Sequence, residues 1–171
     1  MTRSLVLTLL AALSVSSCGY HVAGHDNALP PSIHTIAVPA FANTTIQYRI
    51  SERLTAAVVR ELIERTNYSV TADPAGADAV LTGALVNYNA YPTTFDPGTG
   101  RASGIQVLAQ LQVSLKDKAG KVLFNRPNFE IRERYEISVD PKNYFDESSG
   151  AVDRLSRDAA RSVVSAVLEN F

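Results

Sequence analysis

Few side chains in this 171-residue chain are equipped for covalent or coordination chemistry. It holds one cysteine, Cys18, and three histidines, His21, His25 and His34, all in the first fifth of the sequence. Cys18, His21 and His25 follow a Cys-x2-His-x3-His spacing whose ligand types suit zinc. No serine stands in a Gly-x-Ser-x-Gly turn, and Gly98, Gly100 and Gly104 lie between two strand patterns rather than at a strand-to-helix turn that would cradle a phosphate. Glu133 interrupts an apolar strand face and is the one candidate for a buried acid. An edge position, or a pairing with Arg132 or Arg134, accounts for it more simply. This inventory argues against an enzyme and moves attention to surfaces. Lys116-Asp117-Lys118-Ala119-Gly120-Lys121 sets three ammonium groups around one carboxylate at a turn. Lys116, Lys118 and Lys121, with Arg101 in another loop, are candidate contacts for phosphates or other anions; the plainer account of the turn is solubility. Tyr91 and Phe95 in a Pro-rich loop, and Tyr144-Phe145, are apolar groups that a partner could seat.

The metal spacing fails on the context of its cysteine. Arg3, an apolar run from Leu5 to Leu13 and a small-residue exit make a secretory leader. The run is too short to span a bilayer, which takes about 20 residues. Val15-Ser16-Ser17-Cys18 is similar to a lipobox, the site at which bacterial prolipoproteins are acylated on Cys and cut before it. Residues 1–17 are therefore expected to be removed, and Cys18 to begin the mature protein with a diacylglycerol and an N-acyl chain. An acylated Cys offers no thiolate, which leaves His21 and His25 without a metal site; no other cofactor is implied. Gly19, where an Asp tends to mean retention at the inner membrane, is consistent with transport to the outer membrane, facing the periplasm. Residues 18–32 are Gly-, Pro- and polar-rich and read as a flexible tether. With no second cysteine there is no disulfide, so the core must hold the domain.

A single domain is expected over residues 33–171. Hydrophobic residues make up 46% and charged residues 19%, a globular balance. The net charge of −1 argues against nucleic acid as partner. A short strand from Ile33 ends near Pro39. Between Gln47 and Thr66 the period becomes helical, with Ile50, Leu54, Ala57, Val58, Leu62 and Ile63 on one face. Short strand 68–71 follows, then a long strand 79–91 with Val80, Thr82, Ala84, Val86 and Tyr88 on one side. Residues 92–104 have loop chemistry, and a 13-residue loop in a compact domain asks for a reason. From Ile105 the alternation is clean: Ile105, Val107, Ala109, Leu111, Val113 and Leu115 on one face, Gln106, Gln110 and Gln112 on the other. The return strand carries Pro127 as a bulge or a break. A last helix starts near Asp146 or Ser149, whose neighbourhood supplies capping groups, with Val152, Leu155, Ala159, Val163, Ala166 and Val167 inward. Two amphipathic helices need a sheet face to cover. The expectation is an α+β two-layer sandwich, both helices on one face of a mostly antiparallel four- to five-stranded sheet, the other face polar.

Cys18-Gly19-Tyr20-His21-Val22, the stretch Ile33-His34-Thr35-Ile36-Ala37-Val38-Pro39-Ala40-Phe41-Ala42-Asn43 before a helix, and the ending YFDESSGAVDRLSRDAARSVVSAVLENF together resemble the LPS-assembly lipoprotein family LptE. The resemblance spans nearly the whole mature chain, although the motifs are individually loose. It implies two helices on a four-stranded sheet and a non-enzymatic role: plugging and helping to assemble the outer-membrane β-barrel LptD, and binding lipopolysaccharide. It carries over no lipopolysaccharide-contacting residue, so the basic candidates rest on charge alone. Under it, Tyr91, Phe95, Tyr144 and Phe145 become candidate contacts to the barrel. The same strand–turn–helix stretch also resembles lipoproteins of secretion systems such as the curli-secretion pore, which would self-assemble into a ring, although the chain lacks the extra length for a pore. A lipid-anchored periplasmic binding domain or enzyme is a third reading, without a convergent polar site to support it.

Overall fold

The computed structural model describes residues 29–137 and 144–169, with the side chains at 48 and 144–147 outside the description. In chain order the elements are β1 (Thr35–Ala37), β2 (Ala42–Asn43), α1 (Tyr48–Arg65), β3 (Ser69–Thr71), β4 (Ala79–Phe95), β5 (Ala102–Asp117), β6 (Val122–Glu136) and α2 (Tyr144–Glu169). They form one sheet in the order β3-β1-β4-β5-β6, with β2 also paired to β4. The long pairs β4–β5 and β5–β6 are antiparallel, and the short pairs of β1 and β2 are parallel. The α+β architecture is as expected, with one strand more. The addition is β2, two residues long and too short to leave a periodic trace. It resumes along β4 after Pro39, which has no N–H to give a ladder.

Both helices cover one sheet face. From β5, Ile105, Val107, Ala109, Leu111, Val113 and Leu115 are all buried against them. Ile50, Leu54, Val58 and Leu62 of α1, spaced at three and four residues, supply the facing stripe. Ile63, expected on that face, is instead 58% exposed. The buried stripe of α2 is broader than expected, with Ala151, Leu155, Ala159, Ala160, Val163, Val164 and Val167 inside, because this helix packs on both α1 and β6. Arg53 donates to Asp153 Oδ1 at 2.8 Å and Arg65 to Ser165 Oγ at 2.7 Å. Both pairs are offset by 100 residues, so the helices run parallel. The last helix starts at Tyr144, which places Asp146 and Glu147 within its first turn rather than at a cap.

Two register facts correct the reading of the strands. Before a bulge at Val86, Ala79, Leu81, Gly83 and Leu85 face the helices; after it Tyr88, paired with the buried Ala109, does. One extra residue inverts the faces of everything beyond it. Val80, Thr82, Ala84 and Val86 therefore do not share the side of Tyr88. In β6 the ladder continues through Pro127 as a bulge: Leu111 opposes Phe129 and Val113 opposes Arg126. Leu29, which its Pro-rich context assigned to the tether, is 2% exposed and joins the core with Ile33.

Candidate functional site

The sheet has two ends, and the candidate residues divide between them. At one end β1 and β4 begin and the β5–β6 turn closes. The turn is narrower than the sequence suggested, since β5 runs to Asp117 and β6 starts at Val122. Asp117 Oδ1 accepts the N–H groups of Ala119 and Lys121, both at 2.9 Å, and Gly120 takes the positive φ (82°) that the turn needs. Asp117 thus shapes the turn instead of neutralising its lysines. The acid that meets a lysine is Asp78, whose Oδ1 lies 3.9 Å from Lys118 Nζ. Asp78 Oδ2 accepts the N–H of His34 at 2.9 Å and of Thr35 at 3.0 Å, and its carbonyl accepts the N–H of Lys118. One residue ties the entry of β1, the start of β4 and the lysine turn together. Beside it lies an open cleft of about 660 Å³, lined by Pro74, Ala77, Val80, Thr82, Lys116 and Lys118 among others.

The His34 and Thr35 N–H groups, more than the lysine charge, hold the Asp78 carboxyl below its ordinary value near 3.8. A depressed folded pKa contributes stability that is present above the ordinary value and lost as pH falls through the lowered one. Asp78→Asn is expected to lower the melting temperature at pH 7. The gap from the parent protein should close as the pH is taken down to 2; a gap that stayed constant in thermal melts across that range would contradict the assignment.

At the other end β4 outruns the core, while β5 leaves it only before Gly104. Residues 92–104, taken as a loop, are mostly hairpin: β4 continues to Phe95, β5 starts at Ala102, and only 96–101 turn. Asp96 Oδ1 accepts from Gly98 N, Thr99 N and Thr99 Oγ1, and these bonds lower its pKa, the Thr99 hydroxyl first. From Asn89 to Phe95 every residue of β4 is exposed; Tyr91 is 42% and Phe95 57% exposed. Arg101 sits in this turn. Since β5 has 16 residues, Arg101 and the Lys116–Lys121 turn stand about 50 Å apart and cannot form one site. Tyr144 and Phe145 open α2, but their side chains lie outside the described residues, as do Cys18, His21 and His25.

Between the ends the outer sheet face is uncovered and polar. Across the strands Asn87, Gln110 and Glu130 form one row, Asn89, Leu108 and Arg132 the next, Tyr91, Gln106 and Arg134 a third, and Thr94, Gly104 and Glu136 a fourth. Arg134 reaches over Gly104 to donate to Thr94 Oγ1. A Cβ at Gly104 would come within 3.1–3.3 Å of the Thr94 and Arg134 side chains, so the missing side chain gives the guanidinium its path. Glu133 pairs with neither Arg132 nor Arg134: its Oε1 accepts from Arg154 Nε of α2 at 2.7 Å, fastening that helix to the edge strand. Sequence reasoning had no hold on Thr94, Gly104 or Asp78: Arg134 lies 40 residues from Thr94 and 30 from Gly104, and His34 lies 44 from Asp78. The arrangement has surfaces for binding, and among the described residues no reactive groups converge. Among the described residues no group of His, Cys, Asp and Glu could hold a metal ion, and no helix is long and apolar enough to cross a membrane.

Comparison with known proteins fits this picture. The model of the family described as LptE, Lipopolysaccharide-assembly, matches residues 33–167. No curated protein matches the chain in sequence. Among solved structures it is similar to rare lipoprotein B from Shewanella oneidensis (TM-score 0.56, 14% identity, 79% of this chain and 94% of that one). It is also similar to a putative lipoprotein from Caulobacter crescentus (0.55, 12%, 77% and 88%) and to the PelC dodecamer from Paraburkholderia phytofirmans (0.54, 18%, 84% and 93%). At these identities the likeness is one of fold.

Proposed function

The chain belongs to the LptE family of lipopolysaccharide-assembly proteins, and from that premise we propose that it is an outer-membrane lipoprotein, anchored through Cys18 and facing the periplasm. It plugs and helps to assemble an LptD-like β-barrel and binds lipopolysaccharide. The role is non-enzymatic. The observation that carries this reading is the family match over residues 33–167, which takes in every element but the last residues of α2. The exposed end of the sheet supports it: a barrel lumen is a place for a sheet end that shows Tyr91 and, at the β4–β5 tip beyond β6, Phe95, which in free solution would be a liability. Tyr91 and Phe95 are the proposed barrel contacts, and Arg101, in the same turn region, the proposed contact to lipopolysaccharide phosphates.

Affinity purification from detergent-solubilised outer membrane tests the plug. The expected result is a one-to-one complex with a large barrel protein; recovery of self-oligomers alone would favour the ring-forming alternative and sink this one. The hairpin provides a sharper arm. Replacing Tyr91 and Phe95 together by serine should weaken binding of the barrel about 1,000-fold and its recovery accordingly, since two buried aromatic anchors contribute on the order of 2 kcal/mol each. The melting temperature should stay within about 2 °C, because neither ring belongs to the core. Barrel recovery unchanged by the pair would remove the hairpin from the interface.

A further inference from the structure

The end of the domain that carries the lysine turn is also the end from which the N-terminal segment leaves. Leu29 and Ile33 are buried in the core, so Leu29, ahead of β1, is a fixed point of the domain. Asp78 bonds the entry of β1, directly after Ile33, to the turn: its carboxylate takes the N–H of His34, its carbonyl the N–H of Lys118. Ten residues lie between Cys18 and Leu29, so the two are at most about 40 Å apart. The Arg101 turn is about 50 Å further along β5. Of the three lysines, Lys118 pairs with Asp78, and among the described residues Lys116 and Lys121 have no ion pair. Their ammonium groups are free for an outside anion.

We infer that the Lys116–Lys121 turn is a membrane-facing foot, whose free ammonium groups rest on the anionic headgroups of the leaflet holding the lipid anchor. The assignment rests on acylation of Cys18. It gives the domain a direction, with lysine turn at the headgroup plane and aromatic hairpin pointing away. It also separates these lysines from the lipopolysaccharide contact proposed for the Arg101 end. A lysine near such a surface gains about fivefold in local partitioning, so two give roughly 25-fold, enough to orient a tethered domain though not to hold an untethered one.

The test uses the full acylated chain in vesicles of phosphatidylethanolamine and phosphatidylglycerol. With Cys18 acylated, Ala119→Cys or Thr99→Cys is the sole thiol and takes a fluorophore, read by energy transfer to a headgroup-labelled lipid. Transfer from position 119 should exceed that from position 99 at least twofold. It should drop in 0.5 M salt, on exchanging phosphatidylglycerol for phosphatidylcholine, and with Lys116→Ser/Lys121→Ser. Equal transfer from the two positions, or transfer at 119 indifferent to both lysines and lipid charge, overturns the foot. So does a serine pair that abolishes lipopolysaccharide binding while leaving the vesicle signal intact, which would return the turn to lipopolysaccharide. The mass of the N-terminal peptide reads the premise separately: an unacylated Cys18 refutes the anchor itself.

Discussion

Gly83→Ala should lower the stability of the domain by about 3 kcal/mol and its melting temperature by roughly 6–12 °C, an unusual cost for one methyl group. Gly83 has no left-handed φ, so its backbone accepts alanine without strain. What forbids the methyl group is Phe41, whose ring lies where a Cβ would be. The ring has little freedom to retreat. It is 4% exposed, and its backbone N–H is held by Thr55 Oγ1 of α1 at 2.9 Å. Phe41 thus packs its ring against the bare backbone of β4 at Gly83, while its N–H joins α1 to the sheet through the β1–β2 break. Phe41→Ala alone should cost about 3–5 kcal/mol. The decisive measurement is the double variant: once the ring is gone, Gly83→Ala should cost almost nothing, a coupling of about 3 kcal/mol in a denaturation cycle. Additive losses would mean that Gly83 matters for another reason.

The same pair shows what the sequence could and could not disclose. Phe41 and Gly83 are each unremarkable in their own segments, and only the register of β2 on β4 brings them together. Where a pattern was local and its physical cause acted along the whole element, it was legible. The alternation of β5 is clean because one face is buried under helices and the other wet throughout, and both helices announced their apolar stripes. Reading failed where that cause lapsed. Beyond Asn89 β4 leaves the core while its partner β5 stays in it as far as Ile105, so neither face of β4 is selected to be apolar there, and Pro and Gly made it resemble a loop. The Val86 bulge inverted β4, and a single extra residue has no signature in composition. The basic candidates were chosen by charge, and charge says nothing of topology: one 16-residue strand separates Arg101 from the lysine turn. Lys118 found its acid in Asp78 rather than in the adjacent Asp117, which serves the turn's own N–H groups.

Serine at position 18, behind an ordinary cleavable leader in place of residues 1–17, is expected to shift the protein from the membrane pellet almost wholly to the soluble fraction in cells lacking the barrel. The size of the effect follows from what remains to hold it. Each buried CH₂ of an acyl chain contributes about 0.8 kcal/mol, one medium-length chain binds only marginally, and several on one residue anchor stably. Without them there is the lysine foot, at about 1 kcal/mol per ammonium group and screened by salt. No described helix could substitute. The fold should not notice the change, because the core begins at Leu29, eleven residues away, and thermal melts of the serine and acylated forms should agree within about 1 °C. Function should notice. On the proposed reading, confinement to the leaflet would concentrate the domain beside its barrel, and releasing it would forfeit that effective concentration even with the contact surface intact. Barrel assembly should therefore fall in the serine strain and recover when the soluble form is overproduced. Recovery that requires the acyl chains at any protein level would assign them a direct role in the complex. A serine form that stays wholly with membranes devoid of the barrel would refute the anchor.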